Sequence, residues 1–259
     1  MEVEDGIAID IEGNLWTCGS NGSGMLGNGC KNQYDYAGRL EVSYDTCYFI
    51  QITKDIVFKK ISANEYSCYA LDENGDVWVW GYNANGTLFG DNGNISGYQL
   101  VPKKVIEGKK FIDIASGQRT VFAIDEDGTL WGWGNNYNGS LGNGTMNDSK
   151  VPIRINDGIK YKNVETNGYH TLAIDVKGNI WSWGTNEEGE LGDGTTNNAL
   201  APIQITTGIK FKKVKISNSR NGSNIAIDEE GNLWGWGNNG NGQLGDGTLT
   251  NRTIPTQIN

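Results

Sequence analysis

One histidine, four prolines, four cysteines and three methionines in 259 residues leave this chain short of the groups on which most catalytic sites are built. A general base near neutrality is most often histidine, and the lone His170 stands in "NGYHTLAID", where equivalent segments carry Ser67, Thr120 and Ser223. A position that elsewhere takes any small polar residue reads as structural. Basic clusters are also missing. With 21 Lys and Arg against 31 Asp and Glu, the net charge is −10 and nucleic acid or an anionic membrane surface is a poor default partner. No run of about 18 apolar residues occurs, and "MEVEDGIAID" has neither a basic start nor an apolar core. The expectation is a soluble chain that does not insert into a membrane, with any export signal lying outside it.

Glycine, by contrast, is abundant: 38 residues, against four prolines, point to many cheap turns and hence to an all-β architecture. Five copies of one pattern confirm the direction: "AIDIEGNLWTCGSNGSGMLGNG", "ALDENGDVWVWGYNANGTLFGDNG", "AIDEDGTLWGWGNNYNGSLGNGT", "AIDVKGNIWSWGTNEEGELGDGT" and "AIDEEGNLWGWGNNGNGQLGDGT". Their anchors, Asp10, Asp72, Asp125, Asp175 and Asp228, are 62, 53, 50 and 53 residues apart. That period suits a propeller blade better than a helical hairpin.

Within a copy, "xxAID" alternates inward and outward, an Asp-Gly turn follows, and "LWxWG" returns antiparallel to it. Upstream, Phe58, Phe111, Tyr161 and Phe211 with Ile61, Ile114, Val164 and Val214 mark a further strand. A segment around Pro102, Pro152 and Pro202 marks a fourth, and proline suits the rim of a sheet. The fold class expected is an all-β β-propeller of about five four-stranded antiparallel blades. It forms one domain over 1–259, with repeats at about 1–48, 49–101, 102–151, 152–201 and 202–259.

The pattern "LAIDxxGxLWxWGxNxxGxLGxGT…P" resembles the regulator of chromosome condensation repeat, and the likeness covers essentially the whole chain. The resemblance implies a propeller, usually of seven blades, and little about function, because one fold hosts many functions. Five copies rather than seven raise the question of closure. Pro255 to Asn259 with the first ten residues supply 14 residues where intact copies need 23 or 26 between proline and anchor. Three solutions are open: a last blade closed jointly by N- and C-terminal strands, a longer chain with further blades, or a partner in the gap. The five-bladed ring is the reading taken, since open edges need protection.

An insertion, "CKNQYDYAGRLEVSYDTCY", lengthens the first copy: 22 residues separate Gly27 from Phe49 where others need 10 or 12. A disulfide between Cys30 and Cys47 would close this loop of residues 30–47 and stabilise it by roughly 3 kcal/mol; two free thiols are the alternative in a reducing compartment. Cys18 replaces a tryptophan and is expected to be a small buried hydrophobe. No cysteine pair has metal-ligand spacing.

The five anchor aspartates each open the same turn, so they read as turn formers rather than catalytic pairs. Segments such as "DENGD" lack the carboxylate set of a calcium loop. The glycine run after "WGWG" lacks both the lysine and the following helix of a phosphate loop. All nine tryptophans, at 16, 78, 80, 131, 133, 181, 183, 234 and 236, share one frame and are expected between blades, burying about 150–250 Å² each. No metal, cofactor or catalytic residue is expected, and an enzyme is the last choice.

Alternating strand direction puts "ANEYS", "SGQRT", "NGYHT" and "SRNGS" at the same end as the "NNYNG" loops and the insertion. Tyr34, Tyr36, Tyr44, Tyr48, Tyr66, Tyr82, Arg119, Tyr137, Tyr169 and Arg220 would then share that end, and Tyr and Arg framed by Ser, Gly and Asn compose a protein-recognition surface. The expected function is a non-catalytic propeller binding another protein there, as inhibitor, adaptor or surface module. A carbohydrate-binding module of a surface protein is the runner-up. Within the family, the chromosome-condensation regulator is an exchange factor for a small GTPase, which makes that regulation a third reading. The propeller-type β-lactamase inhibitor presents aromatics from the same two turn types, matching Tyr66, Tyr137 and Tyr169. Asn- and Ile-rich repeats suggest a bacterial source, and an extracellular or cell-surface location if the chain belongs to a larger exported protein.

Overall fold

In each repeat the chain reverses on one aspartate. Asp175 Oδ1 accepts the backbone N–H groups of Lys177 and Asn179 at 2.8 and 2.9 Å, while Oδ2 accepts Trp181 Nε1 at 3.1 Å. Asp10, Asp72, Asp125 and Asp228 likewise each accept a tryptophan Nε1 six residues on, at 2.8 to 3.0 Å. The tight turn and the pairing of the two strands beside it are therefore set by the same carboxylate. The pKa of Asp10 is lowered to about 2, chiefly by Asn14 and Trp16.

The computed structural model describes residues 2–4, 6–83, 86–88, 97–156, 158–205 and 207–258. Residues 84–85 and 89–96 of the second repeat and parts of the "NDG" and "TTG" connections lie outside them. The chain divides into two compact units, Met1–Ala115 and Ser116–Asn259. In unit 1, β1 (Glu2–Glu4), β2 (Ile7–Ile9), β3 (Leu15–Gly19) and β6 (Thr46–Gln51) form one sheet, with β4 (Gln33–Tyr34) and β5 (Leu40–Val42) pairing as a separate hairpin in the insertion. A second sheet takes β7 (Phe58–Ala63), β8 (Ser67–Asp72), β9 (Val77–Tyr82) and β10 (Tyr98–Val105). The third follows the order β11 (Phe111–Ser116), β12 (Thr120–Asp125), β13 (Leu130–Gly134), β14 (Ser149–Ile155). In unit 2, β15 (Tyr161–Thr166), β16 (His170–Asp175), β17 (Ile180–Gly184) and β18 (Ala199–Gln204) make the fourth. The last contains β19 (Phe211–Ile216), β20 (Ser223–Asp228), β21 (Leu233–Gly237) and β22 (Arg252–Ile258). These five antiparallel four-stranded sheets are the blades of a β-propeller. Among the described residues no helix is long and apolar enough to cross a membrane.

The sheet boundaries fall one strand later than the repeat boundaries. Every proline segment is the edge strand of the sheet begun before it, where a missing N–H costs no ladder bond. Among the described residues no sheet takes strands from both chain ends. β22 pairs with β21, Gly237 facing Arg252, and β1 pairs with β2, Val3 facing Ala8. The strand missing from the sequence count is Glu2–Glu4, too short and too acidic to carry a hydrophobic alternation.

The "AID" strands are buried on both faces rather than alternating: all six residues of β8, β12 and β16 are buried. In unit 2 the reason is direct. Leu172 and Ile174 join Phe211, Val214 and Trp236 in one core cluster, while Trp183 of the same sheet meets Phe122 edge-on at 5.6 Å on the other side. The tryptophans divide accordingly. Trp80, Trp133, Trp183 and Trp236 are fully buried, and Trp16, Trp78, Trp131, Trp181 and Trp234 are half-buried on their aspartates. Cys18, at the second tryptophan position, is half-buried, not buried as expected, since a short thiol leaves part of an indole's volume open.

Of the two alternatives for Cys30 and Cys47, the structure shows free thiols. The loop is closed by Asp45, which accepts Asn21 N–H at 2.6 Å and Asn32 Nδ2 at 2.8 Å, while Cys47 lies exposed on the edge strand β6.

Glycine is required where a loop approaches the next sheet's buried indole. A Cβ on Gly192, whose φ is +73°, would lie 2.8 Å from Trp236 Nε1, whereas Gly247, at φ +76°, faces open space. Gly247→Ala is expected to cost roughly 1 kcal/mol for its left-handed backbone, and Gly192→Ala about 1–3 kcal/mol more for the clash. Urea denaturation of both variants measures the difference.

Candidate functional site

In four of the five repeats the loop leaving the "LWxWG" strand has few apolar side chains and is organised around one buried asparagine. Asn136 Oδ1 accepts Leu141 N–H at 2.9 Å; its Nδ2 donates to Asn143 Oδ1 and to the carbonyls of Thr145 and Asn147, each at 3.0 Å. Its own N–H donates to Asp148 Oδ1 at 2.8 Å, closing the loop twelve residues on. Asn186 and Asn239 repeat the arrangement, closed by Asn198 and Asn251. In unit 1, Asn21 binds Leu26 N–H and the Cys30 carbonyl and is closed by Asp45, 24 residues on. The insertion is thus spliced into this loop without removing its clamp.

The β15–β16 turn of unit 2 has its own asparagine. Asn167 Oδ1 accepts the N–H groups of Tyr169 and His170, both at 3.0 Å, and Nδ2 donates to the Ser217 and Ser219 carbonyls at 3.3 and 2.7 Å. The preceding turn lies against it backbone to backbone: a Cβ on Gly117 would fall 2.0 Å from Gly168 N.

Between these turns and the Asn136 loop lies a cleft of about 370 Å³ lined by Gln118, Arg119, Asn135, Tyr137, Gly168, Tyr169 and Arg220. Strand register explains the gathering. Thr120 faces Gly134 and His170 faces Gly184, so each turn before an "AID" strand meets the loop after its "LWxWG" strand. Tyr137 and Tyr169 pack at right angles, ring centroids 6.4 Å apart. Tyr169 Oη donates to Gln118 Oε1 at 2.8 Å. The Arg220 guanidinium lies over the Tyr137 ring, 5.8 Å from its centroid, and donates to Glu187 Oε1 at 3.1 Å. That carboxylate raises the arginine's pKa further.

Four expected residues, Arg119, Tyr137, Tyr169 and Arg220, are therefore brought together in unit 2. In unit 1, Tyr66 and Tyr82 meet edge-on at 6.4 Å, and Tyr82 stacks at 4.7 Å on Tyr98, over which Lys31 Nζ sits at 4.5 Å. Tyr34, Tyr36 and Tyr48 are exposed and Tyr44 half-buried; among the described residues no ring contact joins them to that cluster. Sequence reasoning missed Gln118, Glu187 and Tyr98. Tyr98 had a signal, because it faces Tyr82 where other repeats carry the clamping Asp45, Asp148, Asn198 or Asn251.

Beneath the cleft, His170 is fully buried, with Nε2 2.8 Å from Asn224 Oδ1 and Nδ1 without a partner among the described residues. Burial lowers its pKa to about 4. Asn224 Nδ2 donates in turn to the Glu190 carbonyl at 2.8 Å, and burial raises the Glu190 carboxyl. No group of three or more His, Cys, Asp or Glu among the described residues is placed to hold a metal ion.

Repeated antiparallel blades with a turn-forming Asp, paired indoles and a loop-ordering Asn define a repeat propeller whose variable side chains stand on the loops of its blades. The chain belongs to the RCC1-like domain family, whose model matches residues 4–259. It is 36% identical to the ultraviolet-B receptor UVR8 of Arabidopsis thaliana over 105 residues, 39% of this chain and 23% of the relative. It is 28% identical to protein RCC1 of Candida albicans over 135 residues, 49% of this chain and 27% of the relative. The chain thus spans about a quarter of each. Human WBSCR16 has the same fold, with a TM-score of 0.81 at 20% identity over 98% of this chain and 64% of that one. Prp20p of Saccharomyces cerevisiae follows at 0.70 and 19%, over 98% of this chain and 74% of that one. These relatives are eukaryotic, and the bacterial source suggested by composition finds no support among them.

The buried histidine makes one pH effect testable. With a folded pKa near 4 against about 6.5 unfolded, neutral His170 contributes fully above pH 6.5, and that contribution is lost as pH falls towards 4. Glu190, raised by burial, slopes the opposite way, so the comparison is with His170→Thr, which leaves Glu190 in place. Between pH 6.5 and 4 the wild type should lose on the order of 3 kcal/mol relative to this variant, measured by denaturation at each pH.

Proposed function

We propose that the chain is a non-catalytic protein-binding propeller that engages a partner through the loop end carrying Arg119, Tyr137, Tyr169 and Arg220. One observation carries this reading. Loops of three consecutive sheets converge to set two tyrosines at right angles beside two arginines, on backbone held by buried asparagines. Tyrosine and arginine are the residues that most often dominate interface energies, and rigid loops lose little entropy on binding. Protein partners are also the theme among relatives: the Prp20p structure is described with binding to Gsp1p and histones, and another with Kap60. In unit 1, Tyr66 and Tyr82 with Tyr98, and the exposed Tyr34, Tyr36 and Tyr48 with the half-buried Tyr44 of the insertion, form a surface of the same composition within that unit.

Affinity capture from the native source with the wild type, Tyr137→Ala and Tyr169→Ala tests the proposal. Each variant should reduce capture at least about ten-fold with an unchanged melting temperature, because Tyr137 is exposed and Tyr169 half-buried. Undiminished capture by the double variant contradicts it.

A further inference from the structure

We infer that the unit 2 cleft recognises a carboxylate side chain of a protein partner, held by Arg119 and flanked by an apolar residue seated in the angle between Tyr137 and Tyr169. The inference rests on the protein-binding reading and gives that site its ligand chemistry.

Among the described residues no carboxylate lines the cleft, although the chain has 31 acidic residues, and two of its five arginines do. Outside the cleft, Arg154 lies over Trp131, Arg252 pairs with Asp246 at 2.6 Å and Arg39 sits in the insertion; within it, Arg220 is held by Glu187. Arg119 differs: it is exposed, its carbonyl accepts Asn135 N–H at 2.8 Å, and its guanidinium has no hydrogen-bonding or ionic partner among the described residues.

The neutral groups agree in sign. Asn135 is spent, its Nδ2 donating to Asp148 and its Oδ1 accepting Tyr137 N–H. Gln118 has its Oε1 occupied by Tyr169, which leaves Nε2 as a donor. The uncommitted groups beside the two rings are therefore a forked guanidinium and a carboxamide N–H, and their complement is an anionic acceptor with two oxygens. A cation is disfavoured by both arginines. The tyrosine faces at right angles accept an aliphatic or aromatic neighbour of that carboxylate. A chain of net charge −10 repels an acidic partner at long range, so the recognised segment is one in which an isolated Asp or Glu sits among apolar residues.

The test titrates the isotope-labelled full chain with a blocked Gly-Leu-Asp-Leu-Gly peptide, its Asn twin, N-acetylneuraminic acid and inorganic phosphate. Binding is followed by NMR at the Arg119 side-chain N–H and the Gly168 amide. The Asp peptide should bind about ten-fold or more tightly than the Asn twin. That preference should vanish in Arg119→Ala and survive in part in Arg119→Lys, both folding as the wild type. Equal binding of the twins, a preference that persists in Arg119→Ala, no response to either peptide, or a response only to the sugar acid or phosphate would overturn the inference. Capture of the native partner separates the two ideas. If Arg119→Ala retains it while Tyr137→Ala and Tyr169→Ala lose it, the carboxylate inference falls and protein binding stands.

Discussion

Everything on the loop end depends on a buried carboxamide in a stretch of chain that has little else to fold around. The loop from Asn136 to Asp148 contributes one buried leucine and several glycines. Ordering such a segment costs about 1–2 kcal/mol per residue in backbone entropy. Asn136 offsets part of that cost by binding four backbone or side-chain groups across the loop, and burial strengthens each bond while excluding water from them. An aspartate there would keep the acceptor and lose the donors, which is why the carboxamide is the residue the geometry demands.

The same loops are tied to the cores. Trp183 Nε1 donates to the Ser140 carbonyl at 2.9 Å, Trp236 Nε1 to that of Glu190 at 3.0 Å, and Trp80 Nε1 to that of Met25 at 2.7 Å. Each of these three buried indoles therefore satisfies its own N–H with the loop of the sheet before it. The tryptophan that packs the core also anchors the surface from which Tyr137 projects, so the binding face is an extension of the hydrophobic core.

Fold and site were legible to different depths. The blades could be read because the Asp, the paired Trp and the Gly recur at one spacing, and each has a single structural meaning. The assembly of Arg119, Tyr137, Tyr169 and Arg220 followed from strand direction alone, since antiparallel order decides which turns share an end. The short strand Glu2–Glu4 was missed because three residues with two glutamates show no alternation. Spacing left Cys30 and Cys47 open between a bridge and two free thiols, because it reports which residues bracket a loop, not which way their side chains point; Asp45 closes the loop. Glu187 and Gln118 were illegible as partners, since their contacts reach Arg220 and Tyr169 across sheets, 33 and 51 residues away.

The account makes the loop end a preformed surface, built before any partner arrives. Amide hydrogen exchange of the free chain at Leu141, Leu191 and Leu244 tests this most directly, because each of those N–H groups is held only by a buried asparagine. Protection approaching that of the neighbouring β-strand amides is the predicted result. Exchange as fast as in an unstructured glycine-rich loop would contradict it.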